Sequence, residues 1–323
     1  MKKQKENQLK IKIKNRPDFS RRTALKALGT GVAAVGAVTA GRAGFGKTEV
    51  PAEYGLMDQF GEFFQQHYKK MSKEEISGVI ERIERKYKAK YDLDVKVGDT
   101  PPFPGVVFGY ALNINKCKGY RECVRGCVEE NNQSRDPQIQ YIRVLELDRG
   151  SLNLEKSEHY YDDQTDVPKD GKMYLPIQCH QCDNPPCVKA CPVEATWKEP
   201  DGVVVVDYNW CIGCRMCANA CPYWARRFNW SEPVIPKDEI NPETHYLSNR
   251  PREKGVMEKC TFCIQRTRKG ELPACHQACP TGARVFGNLL DVNSEIRYVL
   301  ENKDIFRLKE ELNTEPKFWY YTD

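Results

Sequence analysis

The chain has 323 residues, enough for two ordinary domains with a sizeable core. It is 40% hydrophobic and 29% charged, and its mean hydropathy of −0.67 is typical of a globular protein in water. The longest uncharged stretch near the N-terminus, residues 27–41, has 15 residues diluted by Gly and Thr. Because a bilayer span needs about 20 strongly apolar residues, we predict no resident membrane helix.

The net charge of +5 is unevenly distributed. Residues 1–40 hold ten Lys and Arg against Glu6 and Asp18, a net charge of +8, which leaves −3 for the rest of the chain. A mildly acidic body argues against a nucleic-acid partner, since nucleic acid binds basic surfaces.

The basic N-terminal segment has the pattern of an export signal. Residues 20–26 read Ser-Arg-Arg-Thr-Ala-Leu-Lys, and a weakly apolar run with a small-residue cleavage site after Ala40 follows them. This segment resembles a twin-arginine signal, which exports proteins already folded. We therefore expect residues 1–47 to be a signal and its flank, and the protein to lie in the periplasm or on the outer face of the cytoplasmic membrane. A basic tail with a chance Arg pair is the alternative, and cleavage or retention as an anchor stays open.

Residues 48–104 contain no cysteine. We predict that they form an N-terminal helical extension. Ser72 and Glu75 form a capping-box pattern before a run of apolar residues at helical spacing. That run consists of Ile76, Val79, Ile80, Ile83, Tyr87 and Tyr91. The proline-rich residues 100–104 end the extension.

Fifteen cysteines lie between Cys117 and Cys279 and fall into four motifs. The motifs are Cys117-x2-Tyr120-x2-Cys123-x3-Cys127, Cys179-x2-Cys182-x4-Cys187-x3-Cys191, Cys211-x2-Cys214-x2-Cys217-x3-Cys221 and Cys260-x2-Cys263-x11-Cys275-x3-Cys279. The last three end in Cys-Pro, and the third matches the bacterial ferredoxin run. In the first motif Tyr120 stands where the second cysteine belongs, so the four motifs account for every cysteine in the chain.

Other uses of these cysteines fit the pattern less well. Zinc sites take separated C-x2-C pairs and do not need the ferredoxin run. A disulfide framework suits an exported protein, but not four repeated C-x2-C pairs with an odd cysteine count. A c-type haem needs C-x2-C-H, which the sequence lacks. The motifs therefore favour iron–sulfur clusters, whose irons select soft thiolate ligands.

With these motifs, residues 105–323 resemble the four-cluster ferredoxin-type subunits of quinone-linked respiratory complexes. Relatives of this kind serve dimethyl sulfoxide, polysulfide and tetrathionate reductases and formate dehydrogenase. The resemblance implies an α+β fold of two ferredoxin-like bicluster lobes with interleaved motifs. Residues 105–176 and 251–323 would form one lobe, the latter ending in a docking tail, and residues 177–250 the other. The export signal and the aromatic C-terminus most resemble the DsrO-type subunit of a sulfite-reduction-associated membrane complex.

The resemblance also implies how the cysteines combine, because the family pairs the first motif with the fourth and the second with the third. Site A would be held by Cys117, Cys123 and Cys279. Site B would be held by Cys127, Cys260, Cys263 and Cys275. Site C would be held by Cys179, Cys182, Cys187 and Cys221. Site D would be held by Cys191, Cys211, Cys214 and Cys217. Sites B, C and D would carry 4Fe–4S clusters. For site A, with three cysteines, we predict a 3Fe–4S cluster; a cubane completed by a non-cysteine ligand and an empty site stay open.

The implied function is electron transfer without catalysis. The chain would relay single electrons between an integral membrane quinone-reactive subunit and another redox subunit, in a complex linked to sulfite or sulfate reduction. The alternative is the electron-transfer subunit of an exported molybdopterin reductase. A metal-binding structural module and a free-standing polyferredoxin also stay open, and we predict no small-molecule substrate.

The resemblance further implies an orientation of the sites. Site D would lie at the membrane end and site A at the opposite end. Arg226 and Arg227 lie beside site D, where they would tune a cluster potential or contact a partner subunit. A solvated or structural role for both is equally open, and the sequence does not separate these roles.

Overall fold

The computed structural model describes residues 71–323, so the predicted export signal and residues 48–70 of the predicted extension lie outside the described residues. Helix α1, Lys73–Tyr91, begins at Ser72 with the predicted capping box. The Ser72 hydroxyl accepts the backbone N–H of Glu75 at 3.3 Å, and the Glu75 carboxylate accepts that of Ser72 at 2.9 Å. The apolar face of α1 buries Val79, Ile83 and Tyr87, as its periodicity predicts.

After α1, the described chain alternates short strands with short helices. The further helices are α2 Glu122–Glu130, α3 Pro186–Lys189, α4 Met216–Asn219, α5 Ile264–Thr267, α6 Ala274–Gln277 and α7 Glu295–Asn302. The strands are β1 Lys96–Gly98, β2 Phe108–Asn113, β3 Arg143–Asp148, β4 Lys172–Ile177, β5 Thr196–Lys198, β6 Val204–Val206, β7 Arg227–Phe228, β8 Glu243–His245, β9 Met257–Glu258, β10 Arg284–Asn288, β11 Asp304–Phe306 and β12 Phe318–Thr322. The result is the mixed α and β architecture expected from the sequence.

The largest sheet of the described residues has four strands in the order β10-β2-β12-β11. Strand β2 is buried along its whole length and pairs antiparallel with β10 and parallel with β12. The C-terminal aromatic residues Phe318, Tyr320 and Tyr321 are therefore in the core, with at most 4% of their surface exposed. The prediction that this segment is a docking tail is wrong for these side chains, because aromatic residues also suit a buried central strand.

Two-stranded ribbons carry the rest of the pairing. Strands β5 and β6 form a hairpin, closed by Gly202 at φ 79°. Strands β3 and β4 pair antiparallel over six residues each, and β7 pairs with β9. The parallel pair of β1 with β8 joins the segment after α1 to the cysteine-containing body. Within residues 71–323, no helix combines the length and the apolar character needed to cross a bilayer.

Candidate iron–sulfur sites

The fifteen cysteines are all free thiols, and only Cys214 is exposed. Their four loops share one backbone feature: the second residue after each first cysteine has positive φ. These residues are Gly119 at 81°, Gln181 at 45°, Gly213 at 73° and Phe262 at 54°. Two of them are not glycine, and such a residue in left-handed backbone is uncommon and costs conformational energy. The same tight loop therefore recurs four times, so the four cysteine motifs form an internal repeat.

The first motif keeps this loop although it lacks a cysteine. Arg121 follows Tyr120 and has φ 57°, and Arg215 follows Cys214 and has φ 65°. Each of these arginines is the residue directly before a helix, α2 or α4. Tyr120, which is half-buried, thus occupies the backbone position that Cys214 occupies in the third motif.

Site A brings together its three predicted cysteines. The pKa of Cys117 is raised to about 12, first by burial and also by the neighbouring thiols of Cys123 and Cys279. Burial would raise the pKa of Cys279, but the Thr281 hydroxyl at 3.6 Å, the backbone N–H groups of Thr281 and Ala283 and the Arg284 charge outweigh it and lower that pKa. Hydrogen bonds to sulfur favour the thiolate that a metal requires.

Site B is the most enclosed group. Burial raises the pKa of Cys127 well above its usual value, and the thiols of Cys263, Cys275 and Cys260 raise it further. The Gln133 amide donates to the Cys127 sulfur at 3.2 Å. Four buried thiols cannot ionise beside each other without a positive partner, because each thiolate raises the pKa of the next.

Site C surrounds a small cavity. The pKa of Cys182 is raised to about 12, first by burial and also by the thiols of Cys179, Cys187 and Cys221. The cavity wall contains all four of these cysteines. The other lining residues are His180, Pro185, Pro186, Val204, Pro222, Tyr223, Ala225 and Arg226. Four thiols around one cavity fit a compact thiolate-ligated cluster.

Site D groups the remaining cysteines. Burial raises the pKa of Cys191, backbone N–H groups lower it, and the thiols of Cys211 and Cys214 raise it. The pKa of Cys217 is raised to about 11, first by burial and also by the thiols of Cys211 and Cys191, although the Arg226 guanidinium lowers it. The backbone N–H of Met257 donates to the Cys211 sulfur at 3.5 Å.

Neighbouring thiols also connect the sites in a single order. Burial and the nearby Cys123 thiol of site A both raise the pKa of Cys275 of site B, and the Arg284 guanidinium contacts both sulfurs. Burial and the Cys179 thiol of site C raise the pKa of Cys260 of site B. At the next boundary, the Cys187 thiol of site C is among the groups that raise the pKa of the buried Cys217 of site D. The sites therefore follow one another as A, B, C and D, each adjacent to the next.

The loops after Cys-Pro are built to support thiolates. Cys191 accepts backbone hydrogen bonds from the second and fourth residues that follow it, Val193 and Ala195. Cys221 and Cys279 accept the equivalent pairs, from Tyr223 and Ala225 and from Thr281 and Ala283. Cys127, which no proline follows, receives side-chain donors instead, from Asn131 at 3.6 Å and Gln133. The sequence does not predict either residue, because both follow the first motif without a recognisable spacing.

We predict that Gly213→Ala destabilises site D. At φ 73°, an added Cβ would lie 2.3 Å from the carbonyl oxygen of Gly255, which is backbone and cannot rotate away. Backbone strain alone costs about 1–3 kcal/mol, and this contact adds to it. Denaturant unfolding and iron content should both report a loss.

Gly270→Ala is the matched control for that substitution. Gly270 has φ 83° but open space where its Cβ would lie, so the variant should lose some stability and keep its iron. Equal losses in the two variants would contradict the role of the Gly255 contact.

Comparison with known proteins agrees with this geometry. Residues 171–241 and 244–289 match the 4Fe–4S dicluster domain. The chain is 38% identical over 213 residues to a protein of Halobacterium salinarum named as a dimethyl sulfoxide reductase iron–sulfur subunit, a match that covers 66% of this chain and 78% of the relative. The chain belongs to the iron–sulfur subunit family of the molybdopterin reductases.

Two further relatives are named as subunits of menaquinol- or menaquinone-linked complexes. The chain is 40% identical to the Hdr-like menaquinol oxidoreductase iron–sulfur subunit 1 of Archaeoglobus fulgidus, over 61% of this chain and 71% of the relative. It is 34% identical to the menaquinone reductase iron–sulfur cluster-binding subunit of Nitratidesulfovibrio vulgaris, over 67% of this chain and 88% of the relative. As an iron–sulfur subunit of this family, the chain transfers electrons within a reductase complex and is not its catalytic subunit.

Proposed function

We propose that this chain relays single electrons through four iron–sulfur clusters, between a membrane quinone-reactive subunit and another redox subunit of a respiratory complex. The observation that carries the proposal is the unbroken order of thiol groups from site A to site D. Clusters bound there would supply one-electron carriers in single file, because each site adjoins the next.

The residues of each site bind the cluster and set its surroundings. The cysteines of sites B, C and D supply four thiolates each, which matches a 4Fe–4S cluster. Backbone N–H groups after Cys191 and Cys221 favour the thiolate, and they oppose the burial that raises the pKa of both cysteines. Burial of most of these thiols excludes water, which together with sulfur hydrogen bonds sets the reduction potential.

Site A differs because it offers three thiolates. The tight loop of the first motif is intact, so the missing ligand is a side-chain change and not a change of fold. A 3Fe–4S cluster needs one thiolate for each iron, and it fits three cysteines. Phenolate is a poorer match than thiolate for this iron, so we propose that Tyr120 packs beside the cluster and does not bind it.

Site D is the proposed end for the membrane partner. Its Cys214 is the exposed cysteine, and Trp230 is 64% exposed close by, in the wall of a groove that Cys214 also lines. Met216 and Trp224 expose nearly half of their surface on the same motif. Exposed aromatic and Met side chains are enriched where proteins bind partners.

We propose a complex for sulfur-compound reduction, of the DsrO-containing type, linked to sulfite or sulfate. The likeness to a subunit of an Hdr-like menaquinol oxidoreductase supports this choice. The second candidate, an exported molybdopterin reductase, is supported by the likeness to a dimethyl sulfoxide reductase subunit. The two differ in the neighbouring redox subunit: multihaem and disulfide-reductase-like proteins, or a large molybdopterin protein.

Purification of the tagged chain with its complex from membranes tests the proposal. We expect a reduced menaquinone analogue to reduce the iron–sulfur centres, and the complex to contain haem and no molybdenum. Molybdenum without haem would select the second candidate. Iron–sulfur centres that no quinol reduces, in a complex without a membrane subunit, would contradict the proposed position between quinone and redox partner.

We also propose export by the twin-arginine route, to the periplasm or the outer face of the cytoplasmic membrane. The Arg21 and Arg22 pair in the basic leader carries this proposal. Replacing both by Lys keeps the charge and removes the pair, so we expect the folded, iron-containing chain to accumulate in the cytoplasm. Fractionation with iron analysis measures this, and export unchanged by the substitutions would contradict the proposed route.

A further inference from the structure

The interior of the described chain contains several buried cations, and they fall into two kinds. Three of them form ion pairs with carboxylates: Arg252 with Glu258, Arg268 with Asp201 and Lys317 with Asp183. Four others form no carboxylate ion pair within residues 71–323: Arg226, Arg250, Lys259 and Arg284. A buried charge is costly without an opposite charge. Three of these four cations lie beside cysteines of the proposed sites.

Arg284 lies between site A and site B. Its Nη2 is 3.2 Å from the Cys123 sulfur of site A, and its Nη1 is 3.9 Å from the Cys275 sulfur of site B. Nη1 also donates to the Gln178 side-chain oxygen at 3.0 Å, which fixes the guanidinium in this position. Only 3% of Arg284 is exposed.

Arg226 lies between site C and site D in the same way. Its Nη2 donates to the Cys187 sulfur of site C and to the Thr196 hydroxyl, both at 3.0 Å. On its other side, Arg226 lines the groove that Cys214 of site D also lines. Arg226 and Arg284 each stand five residues after a Cys-Pro cysteine, in the sequences Cys-Pro-Tyr-Trp-Ala-Arg and Cys-Pro-Thr-Gly-Ala-Arg. The internal repeat thus delivers the same cation twice.

Lys259 lies at the remaining boundary, between site B and site C. Its Nζ donates to the carbonyl oxygen of Cys260, a site B residue, at 2.6 Å. It also lies 3.3 Å from the side-chain oxygen of Gln181, the residue just before Cys182 of site C. A further bond to the Val204 carbonyl completes its contacts, and 1% of Lys259 is exposed.

We infer that these three cations set the reduction potentials of the clusters on either side of them, one cation for each boundary. The inference rests on the proposed function, since the clusters are the negative groups that the cations would face. Reduction adds one negative charge to a cluster, and a fixed cation at short range in a buried site stabilises that added charge. Each cation also reduces the repulsion between two adjacent negative clusters. Arg226, Lys259 and Arg284 are therefore positioning residues, each of which fixes one positive charge between two sites. They raise the reduction potentials of the clusters on either side.

The test replaces each cation by Gln, which removes the charge and keeps hydrogen-bond donors. Redox titration of the iron-loaded protein, followed by EPR, gives the potential of each centre. We expect Arg284→Gln to lower the potentials of sites A and B only, Lys259→Gln those of B and C, and Arg226→Gln those of C and D. The expected loss is at least tenfold in the reduction equilibrium constant, about 59 mV for a one-electron couple.

Arg250→Gln is the matched control. Arg250 is equally buried, but its hydrogen-bond partners are the Tyr246 carbonyl, the Asn209 amide oxygen and the Tyr87 hydroxyl, none of them a cysteine. The substitution should destabilise the fold without moving any potential. A uniform shift of all centres in every variant would contradict the inference, as would potentials that stay at their wild-type values.

Two Lys variants keep the inference testable if a Gln variant fails to assemble its clusters. If a Gln variant assembles no iron, Arg226→Lys and Arg284→Lys keep the charge and change the hydrogen-bond geometry. Reduction equilibrium constants that stay within threefold of the wild-type values in these Lys variants support a charge effect. A tenfold change in those constants would contradict it. A wild-type protein without iron would overturn the proposed function itself, whereas iron-loaded protein with unmoved potentials would overturn this inference alone.

Discussion

Replacing Glu258 by Gln is expected to lower the free energy of unfolding by about 3–5 kcal/mol, since it leaves a buried cation without its partner. Glu258 and Arg252 are each about 1% exposed and form an ion pair at 2.6 Å. The same carboxylate accepts hydrogen bonds from the Tyr141 hydroxyl at 2.6 Å and from the Asn229 amide at 2.5 Å. The loss should be large because the substitution leaves the buried Arg252 guanidinium without an opposite charge.

The position of Glu258 in strand β9 explains why a loss of stability there would also weaken cluster binding at sites B and D. Glu258 ends β9, and the preceding Met257 donates its backbone N–H to Cys211 of site D. Two residues beyond Glu258, Cys260 belongs to site B. We therefore expect the Glu258→Gln variant to lose iron at lower denaturant concentration than the wild type.

Chemical denaturation, followed by circular dichroism and by cluster absorbance, measures both effects. Asp148→Asn is the surface control, because it breaks the exposed Lys172–Asp148 pair and should leave the midpoint unchanged. The double variant Arg252→Met, Glu258→Leu removes both charges together and should recover much of the stability. A Glu258→Gln midpoint equal to that of the surface control would contradict the assigned role.

Replacing Tyr120 by Cys is expected to change the type of cluster in site A. Tyr120 occupies the loop position of Cys214, between a glycine and an arginine that both have positive φ. A thiol there would complete four ligands, so the 3Fe–4S centre should become a 4Fe–4S centre. The EPR signal of the oxidised 3Fe–4S centre should vanish, and the iron content should rise from about 15 to about 16.

Tyr120→Phe is the matched control for this substitution. It removes the phenolic oxygen without adding a thiol, so the oxidised signal and the iron content should both stay at their wild-type values. Loss of iron from site A in the Phe variant would show that the tyrosine oxygen is a ligand. An unchanged EPR signal in the Cys variant would contradict the placement of Tyr120 at a ligand position.

The sequence predicts local features well, because cysteine spacing, turn glycines and capping residues act over a few positions. The Ser72 capping box and the hairpin of β5 and β6 follow directly from such patterns. The prediction for the C-terminal aromatic segment is wrong, since its burial depends on pairing with β2 more than 200 residues earlier. Aromatic residues alone do not separate a core strand from a docking surface.

The same limit applies to the cations at the site boundaries. The sequence marks Arg226 as one of two arginines beside the third motif, with a solvated role equally open. It does not mark Lys259 and Arg284, because a cation is informative only when its neighbours and its lack of a carboxylate are known. The one available signal is the repeated Cys-Pro-x-x-Ala-Arg sequence, which links Arg226 to Arg284.

Iron and acid-labile sulfide analysis of the isolated complex, combined with EPR of its oxidised form, tests the proposed electron-transfer function most directly. We predict about 15 irons for this subunit and one 3Fe–4S signal before any reductant is added. About 16 irons without that signal would indicate that a non-cysteine ligand completes site A. About 12 irons would indicate that site A is empty. A subunit without iron would contradict the electron-transfer function as a whole.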